Sequence, residues 1–493
     1  MTMLKRAEKQ GRKFLNPVPT QVGGLSTIWK VLPLYLANKE EKTPRQRLGP
    51  FTTDAELAAI GRSARWKAGL RLIPVMGVGY GLAYIDRLNL SFASLQMNKD
   101  LHFSASVYGF GAGLFFIGYA LCEVPSNLML LRFGAKRWLA RIMFTWGLLA
   151  TATMFVRTPL EFNAVRFLLG VAEAGFFPGV LYYLTLWFPA GMRARAVSRF
   201  YIALPLSSVV MGALAGWLLG LGGKLGLAGW QWLFLVEGLP AVAFSFVILK
   251  MLPDGPANAA WLTPEEKAWL QYQLRADGDK AHLGHEAGVL EALVSPKVWL
   301  IGGYFFCALA TSYAYGFSAP AILQGATGWS VSSVGFAIAC FGLAGAAAML
   351  LNGAHSDRTG ERSLHCIVPC ILMAVGFVTA SYTRTPLVVV AALAVSFISF
   401  QSMQGPALAL PTQFLAGRAA AAGIAAMNTI TMFSGFVGPY WMGRMKDVTG
   451  SYQAGLRGLA LPALGAAALM YVLTLSLRRR VRVQVLEAGE LVS

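Results

Sequence analysis

Six ionisable residues stand inside stretches that are otherwise apolar: Asp86, Arg87, Glu123, Arg166, Glu173 and Glu237. A charge at the centre of a membrane helix costs about 2.5–3.5 kcal/mol on insertion scales, so such residues are functional candidates by default. Arg87 offers a planar, permanently charged fork that suits a carboxylate. Asp86 and Glu173 are carboxyls for which burial and a nearby arginine pull proton affinity in opposite directions, and a group balanced in that way exchanges protons near neutral pH. Arg166 and Glu173 are seven residues apart, which places them on one helix face about 10 Å apart. The chemistry of the set is anion binding coupled to proton exchange. Tyr84, three residues before Arg87, shares its helix face, and Tyr119 is a second hydroxyl candidate. Further along, Tyr313, Tyr315, Gln401, Gln404 and Asn428 are polar groups in apolar stretches. Gln401 and Gln404 have the plainer use of bonding between helices. Glu123 and Glu237 lie near helix ends or prolines and read as structural charges.

The elements that hold these residues follow from composition. The chain has 493 residues, of which 56% are hydrophobic and 13% charged. Soluble domains carry about 25% charged residues, which argues against a soluble enzyme. A helix crossing the bilayer core needs about 20 apolar residues, and twelve such stretches are present. The expected fold is an all-α integral membrane protein with twelve transmembrane helices in two six-helix bundles. The division is a basic tail at 1–65, a bundle at 66–252, a polar loop at 253–296, a second bundle at 297–477 and a tail at 478–493. Within the loop, Thr263-Pro264-Glu265-Glu266 reads as a helix start, and His282, His285 and Glu286 read as solvated rather than metal-binding.

The net charge of +19 needs placement before interpretation. Residues 1–71 hold fourteen Lys and Arg against five Asp and Glu, a net +9. Most of the remainder lies in alternate short loops, including Arg132, Lys136, Arg137, Arg193, Arg195, Arg199, Arg358 and Arg362. By the positive-inside rule both termini are cytoplasmic. On that topology Asp86, Arg87, Arg166 and Glu173 line an outward-facing cavity. The charge is topological, with attraction to anionic lipid, and no nucleic acid is expected as a partner. The apolar patch from Ile28 to Leu36 suits an interfacial helix. The sequence offers no catalytic set, cofactor motif or metal cluster, so neither an enzyme nor a metalloprotein is expected. Gly109 with Gly113, and Gly212 with Gly216, form small-residue faces for close helix packing.

An internal repeat supports the two-bundle reading. RFGAKR at 132–137 and GAHSDRTGER at 353–362 each follow the second helix of a half, the layout of a parallel-repeat transporter. The second copy resembles the cytoplasmic signature of the major facilitator superfamily, which implies a gate role for Gly353, Asp357, Arg358, Gly360 and Arg362. The first copy departs from the signature, with Leu131 at the aspartate position and Asn127 at the leading glycine. YIDRLNLSFA at 84–93, EVPSN at 123–127, RFLLGVAEAGFFPG at 166–179 and WQWLFLVEGLP at 230–240 resemble the anion:cation symporter branch, whose members include tartrate, phthalate, hexuronate and galactonate permeases. The likeness spans about residues 65–477. It implies proton-coupled uptake of a small organic anion by alternating access. Arg87 would bind the carboxylate with Tyr84, Tyr119, Asn428 and Arg166, while Asp86 and Glu173 carry the proton. It also implies a monomer in the bacterial inner membrane. Two alternatives stand beside it: an anion exporter or exchanger of the same fold, and a membrane anion sensor that does not transport.

Overall fold

The computed structural model describes residues 53–282, 294–410 and 417–490. The expected interfacial helix at 28–36 and the His285 and Glu286 positions lie outside the described residues. Helix α1 runs Asp54–Asp100 and begins with a capping box. Thr53 Oγ1 accepts from the Glu56 amide at 3.2 Å, and Glu56 accepts from the Thr53 amide at 2.8 Å. The apolar span is therefore continuous with a polar helical extension, which starts about eleven residues before the boundary expected at residue 65.

The first half continues through α2 (Ala105–Phe133) and α3 (Ala135–Ala152). Its fourth span is broken into α4 (Pro159–Glu173) and α5 (Phe176–Thr185). The break falls at Gly175, whose φ of +85° is the left-handed conformation glycine tolerates. A Cβ at that position would also lie 2.4 Å from Ser126 Oγ of α2. Then come α6 (Ala190–Tyr201), α7 (Ala203–Leu219) and α8 (Gly229–Met251). Helix α9 (Pro264–His282) lies between the halves in sequence and docks on the extension of α1. Glu266 accepts there from Ser63 at 2.6 Å and from Lys67 at 2.8 Å.

The second half comprises α10 (Pro296–Thr327), α11 (Val331–Thr359), α12 (Leu364–Tyr382), α13 (Pro386–Ala409), α14 (Gly417–Thr449) and α15 (Gln453–Glu490). Among the described residues, eleven helices are long and apolar enough to cross a membrane. Helix α14 occupies the place of the remaining span, between α2 and α10.

The halves meet in two equivalent pairings, α2 with α14 and α7 with α11, and also through α1 with α10. Both glycine faces read from the sequence lie in these seams, at the end of the bundle where α1 turns into α2. A Cβ on Gly109 would fall 2.4 Å from the Pro439 carbonyl oxygen, and one on Gly212 would fall 2.3 Å from that of Gly335. Gly113 is crowded by Phe436 and Gly216 by Ser332 in the same way. Asp447 of α14 adds two bonds, accepting from the Ala105 and Ser106 amides at 3.0 and 2.8 Å. These groups sit at the N-terminus of α2, where amides lack helical partners. Tyr108 closes the middle of this end by donating to the Phe317 carbonyl at 2.8 Å. The outward-facing cavity expected from the sequence is thus closed: backbone touches backbone at the end toward which it would open.

Candidate functional site

The fold brings four of the expected charges together in the first half. Arg87 lies on α1, one residue beyond Asp86, and Glu173 closes α4 just before the Gly175 break. Arg87 Nε donates to Glu173 Oε1 at 3.1 Å, and Nη2 donates to the same oxygen. The other oxygen, Oε2, is buried without a hydrogen-bond partner among the described residues. The Arg87 side chain keeps 20% of its surface exposed, while Glu173 keeps 1%. The arginine is therefore the accessible member of the pair.

Asp86 points to the other side of α1 and is 3% exposed. Trp146 Nε1 of α3 donates to its Oδ2 at 3.1 Å, and Asn89 Nδ2 donates to Oδ1 at 3.4 Å. Arg166 is 1% exposed, and its Nε and Nη2 have no hydrogen-bond partner among the described residues. The face of Phe115 is shared by both arginines, with Arg166 Cζ 5.0 Å and Arg87 Cζ 5.3 Å from the ring centroid. Cation–π attraction partly replaces lost water for each guanidinium. The positive charge of the site is thus concentrated around one ring.

Aromatic residues build the surrounding wall. Tyr119 lies under Arg87 at 5.7 Å from its Cζ. Phe116 packs at a tilt of 55° against Tyr313 of α10 with centroids 4.5 Å apart, so the second half supplies a phenol to the site. Tyr84 is half-buried on the Arg87 face of α1, in electrostatic reach of Arg87 and Tyr313. Tyr315 is placed elsewhere, with its ring between Phe377 and Phe397 inside the second half. Gln401 packs against α11, where a Cβ on Gly345 would lie 2.9 Å from its Cγ. Gln404 is half-buried on the same helix, α13.

Asn428 and Glu123 form a clasp across the halves. Asn428 Nδ2 donates to both Glu123 oxygens, at 2.7 and 2.9 Å. Residues read separately as a substrate contact and a structural charge thus bond each other directly. Asn89, Phe115, Phe116 and Trp146 complete the site and were not singled out as site residues. Asn89 stands in the same short motif as Asp86, at helix-neighbour spacing, which is the one signal that could have found it.

The signature motif lies at the other end of the bundle. Arg358 lies in the last turn of α11, and Gly360 caps it in the left-handed conformation with φ of +68°. Arg362 Nη2 reaches Asp357 Oδ1 at 3.6 Å, an exposed pair, and a Cβ on Gly353 would meet open space. Close by, Asn352 donates to the carbonyls of His365 and Ser402, tying α11 to α12 and α13.

Two helical halves closed around a small buried charge set define a polytopic membrane protein. Residues 76–439 match the Major Facilitator Superfamily, and the chain belongs to that family. It is 44% identical over 414 residues to a putative tartrate transporter of Agrobacterium vitis, covering 84% of this chain and 94% of that one. It is 38% identical over 410 residues to a quinolone resistance transporter of Acinetobacter baumannii, covering 83% and 94%. A bacterial homologue of the human lysosomal transporter Spinster, solved in an inward-facing and occupied conformation, superposes with a TM-score of 0.67 at 17% identity, covering 82% of this chain and 96% of that one. The chain is therefore a multi-pass membrane transporter of the major facilitator fold.

Proposed function

We propose that this transporter carries a small organic anion into the cell together with protons, across the bacterial inner membrane, as a monomer with both termini cytoplasmic. The observation that carries the reading is the Arg87–Glu173 pair. One edge of the Arg87 guanidinium, Nε and Nη2, is spent on a single carboxylate oxygen. A substrate carboxylate must compete for them. Protonation of Glu173 removes its negative charge and frees the guanidinium fork for the substrate. Because breaking a buried pair without compensation costs about 3–5 kcal/mol, proton and anion enter together or not at all. Asp86 is a second proton carrier, and Arg166 holds positive charge beside it. Tyr84, Tyr119 and Tyr313 furnish hydroxyls to the anion, and Asn428 contributes when the Glu123 clasp opens.

The motif from Gly353 to Arg362 acts in gating at the cytoplasmic end. With the α1–α2 end closed, access in this conformation is from the cytoplasm. A hydroxy-dicarboxylate such as tartrate is the first substrate to try, given the similarity to a putative tartrate carrier. Two guanidinium groups around Phe115 suit two carboxylates.

The test is uptake of labelled tartrate and related acids into proteoliposomes under an inward proton gradient. Arg87→Ala should abolish uptake, and Glu173→Gln should keep exchange of labelled for unlabelled acid while losing gradient-driven accumulation. Undiminished uptake by Arg87→Ala sinks the assignment. A second reading, export, is favoured by the similarity to a quinolone resistance transporter. Flux measured in right-side-out and inverted vesicles separates the two.

A further inference from the structure

The buried carboxyl that this reading leaves unused is Glu237 of α8. It is 6% exposed, and among the described residues neither carboxyl oxygen has a partner at hydrogen-bond geometry. An ionised carboxylate in that condition bears a desolvation penalty of several kcal/mol, offset only by the nearby Asn89 amide. Its near neighbours on α1 are Asn89 and Asp86. Asn89 is fully buried and its Oδ1 has no partner among the described residues, while its Nδ2 faces Asp86 at 3.4 Å. On α3, Trp146 is committed to Asp86, and Thr151 crowds the neighbouring Gly238. Helix α4 brings Arg166 and Glu173 to the same charge set.

Two independent facts point to a proton on Glu237. First, the Asn89 amide is within reach of Glu237, so a Glu237 O–H can supply the donor that Asn89 Oδ1 lacks among the described residues, and one proton then satisfies groups on two helices. Second, an ionised Glu237 would add one more negative charge to a set in which Arg87 and Arg166 already face Asp86, Glu173 and the half-buried Glu123.

We propose that Asp86 and Glu237 share one proton across the Asn89 amide, making Glu237 a further proton-carrying residue. In this conformation the proton is on Glu237, and the amide turns its N–H to ionised Asp86. In the alternate arrangement Asp86 is the acid and donates to Asn89 Oδ1, while the amide N–H turns to ionised Glu237. The two ends of an amide are nearly the same size, so the side chain turns over in place. The proton lost by one carboxyl is gained by the other, so the hand-over itself leaves the pair's charge unchanged, and the coupled proton enters and leaves the pair through Asp86, the member that faces the rest of the charge set. The proposal rests on the proton-coupled reading above and deepens it by adding a second proton station behind Asp86.

The experiment has two readouts. Infrared spectroscopy of the purified protein in lipid detects the carbonyl band of a buried protonated carboxyl without any transport. The band is expected in the parent, lost in Glu237→Gln, and shifted in Asn89→Leu, where the acid loses its acceptor. In proteoliposomes, Glu237→Gln should reduce proton-driven accumulation at least tenfold and flatten its pH profile, and Glu237→Asp should restore part of both. An unchanged band in Glu237→Gln overturns the proposal. So does a lost band with accumulation and pH profile intact, which makes Glu237 a neutral structural acid. If the parent shows the band but no proton-driven accumulation, the transport reading fails instead and the sharing proposal falls with it, leaving only a buried acid.

Discussion

Replacing Gly212 by alanine tests whether backbone contact closes the bundle. In the structure the added Cβ would sit 2.3 Å from the Gly335 carbonyl oxygen and 3.0 Å from its carbon. Ordinary contact begins near 3.4 Å, so α7 and α11 must part by about 1 Å. No side chain can swing aside, because the obstructing atoms are main chain. Overpacking of this kind costs about 1–3 kcal/mol, a factor of about 5–150 between two conformers. The helix-propensity gain of Gly→Ala, about 1 kcal/mol, is common to both conformers and cancels from their ratio. The assay is a distance distribution between spin labels at Gly220 and Ser330, near the facing ends of α7 and α11, in a variant lacking the five cysteines. Gly212→Ala should transfer population from the short distance to a longer one by at least about fivefold. Gly77→Ala is the control, since a Cβ there meets nothing within 4 Å. If Gly212→Ala leaves the distribution where the parent has it, the glycine seam does not hold this end closed.

Two further outcomes are expected. Asp447→Ala removes the acceptor for two N-terminal amides of α2. It should cost about 0.5–2 kcal/mol, lower the thermal midpoint, and open the same end in the spin-label assay. At the α1–α9 contact, burial disfavours the Glu266 charge, but Lys67, Ser63 and the Thr263 amide together hold its carboxyl below the ordinary value. A depressed value means that its stabilisation is present above the unfolded-state pKa and is lost as pH falls through the folded one. The protection of α9 amides against hydrogen exchange, taken relative to the intrinsic rate at each pH, should therefore fall in acid, and Glu266→Gln should lower it at neutral pH by roughly 5- to 30-fold, for about 1–2 kcal/mol. Protection indifferent to both changes refutes the docking role.

Much of the fold was legible because apolar length is a strong signal: with no water inside a bilayer, the backbone must satisfy itself in helices. The start of α1 was not, because a capping box with a polar first turn carries no apolar period. The break at Gly175 was also hidden. Ala174 and Gly175 continue the hydropathy of their flanks, and only the approach of Ser126 explains the left-handed turn. Among the site residues, Arg87, Asp86, Glu173 and Arg166 stood out by charge alone. Their pairing did not, because Arg87 had two carboxylates within plausible reach and spacing along one chain cannot choose between helices. Asn428 was read as a ligand group, and it meets Glu123 from the other half. The glycine faces announced close packing, but not that their partners were Pro439 and Gly335 of the opposite half.

The closed seam and the charge set are written in different alphabets. The seam depends on what is missing: Gly109, Gly212 and Gly335 work because they have no side chain, and what they touch is backbone that every residue shares. The charge set depends on particular functional groups. On the role proposed for Arg87, substitutions around it would retune which cargo is accepted without altering the backbone contacts of the seam, and a methyl group at the seam would alter the working cycle without touching selectivity. A carrier built this way could change its diet while keeping its machinery.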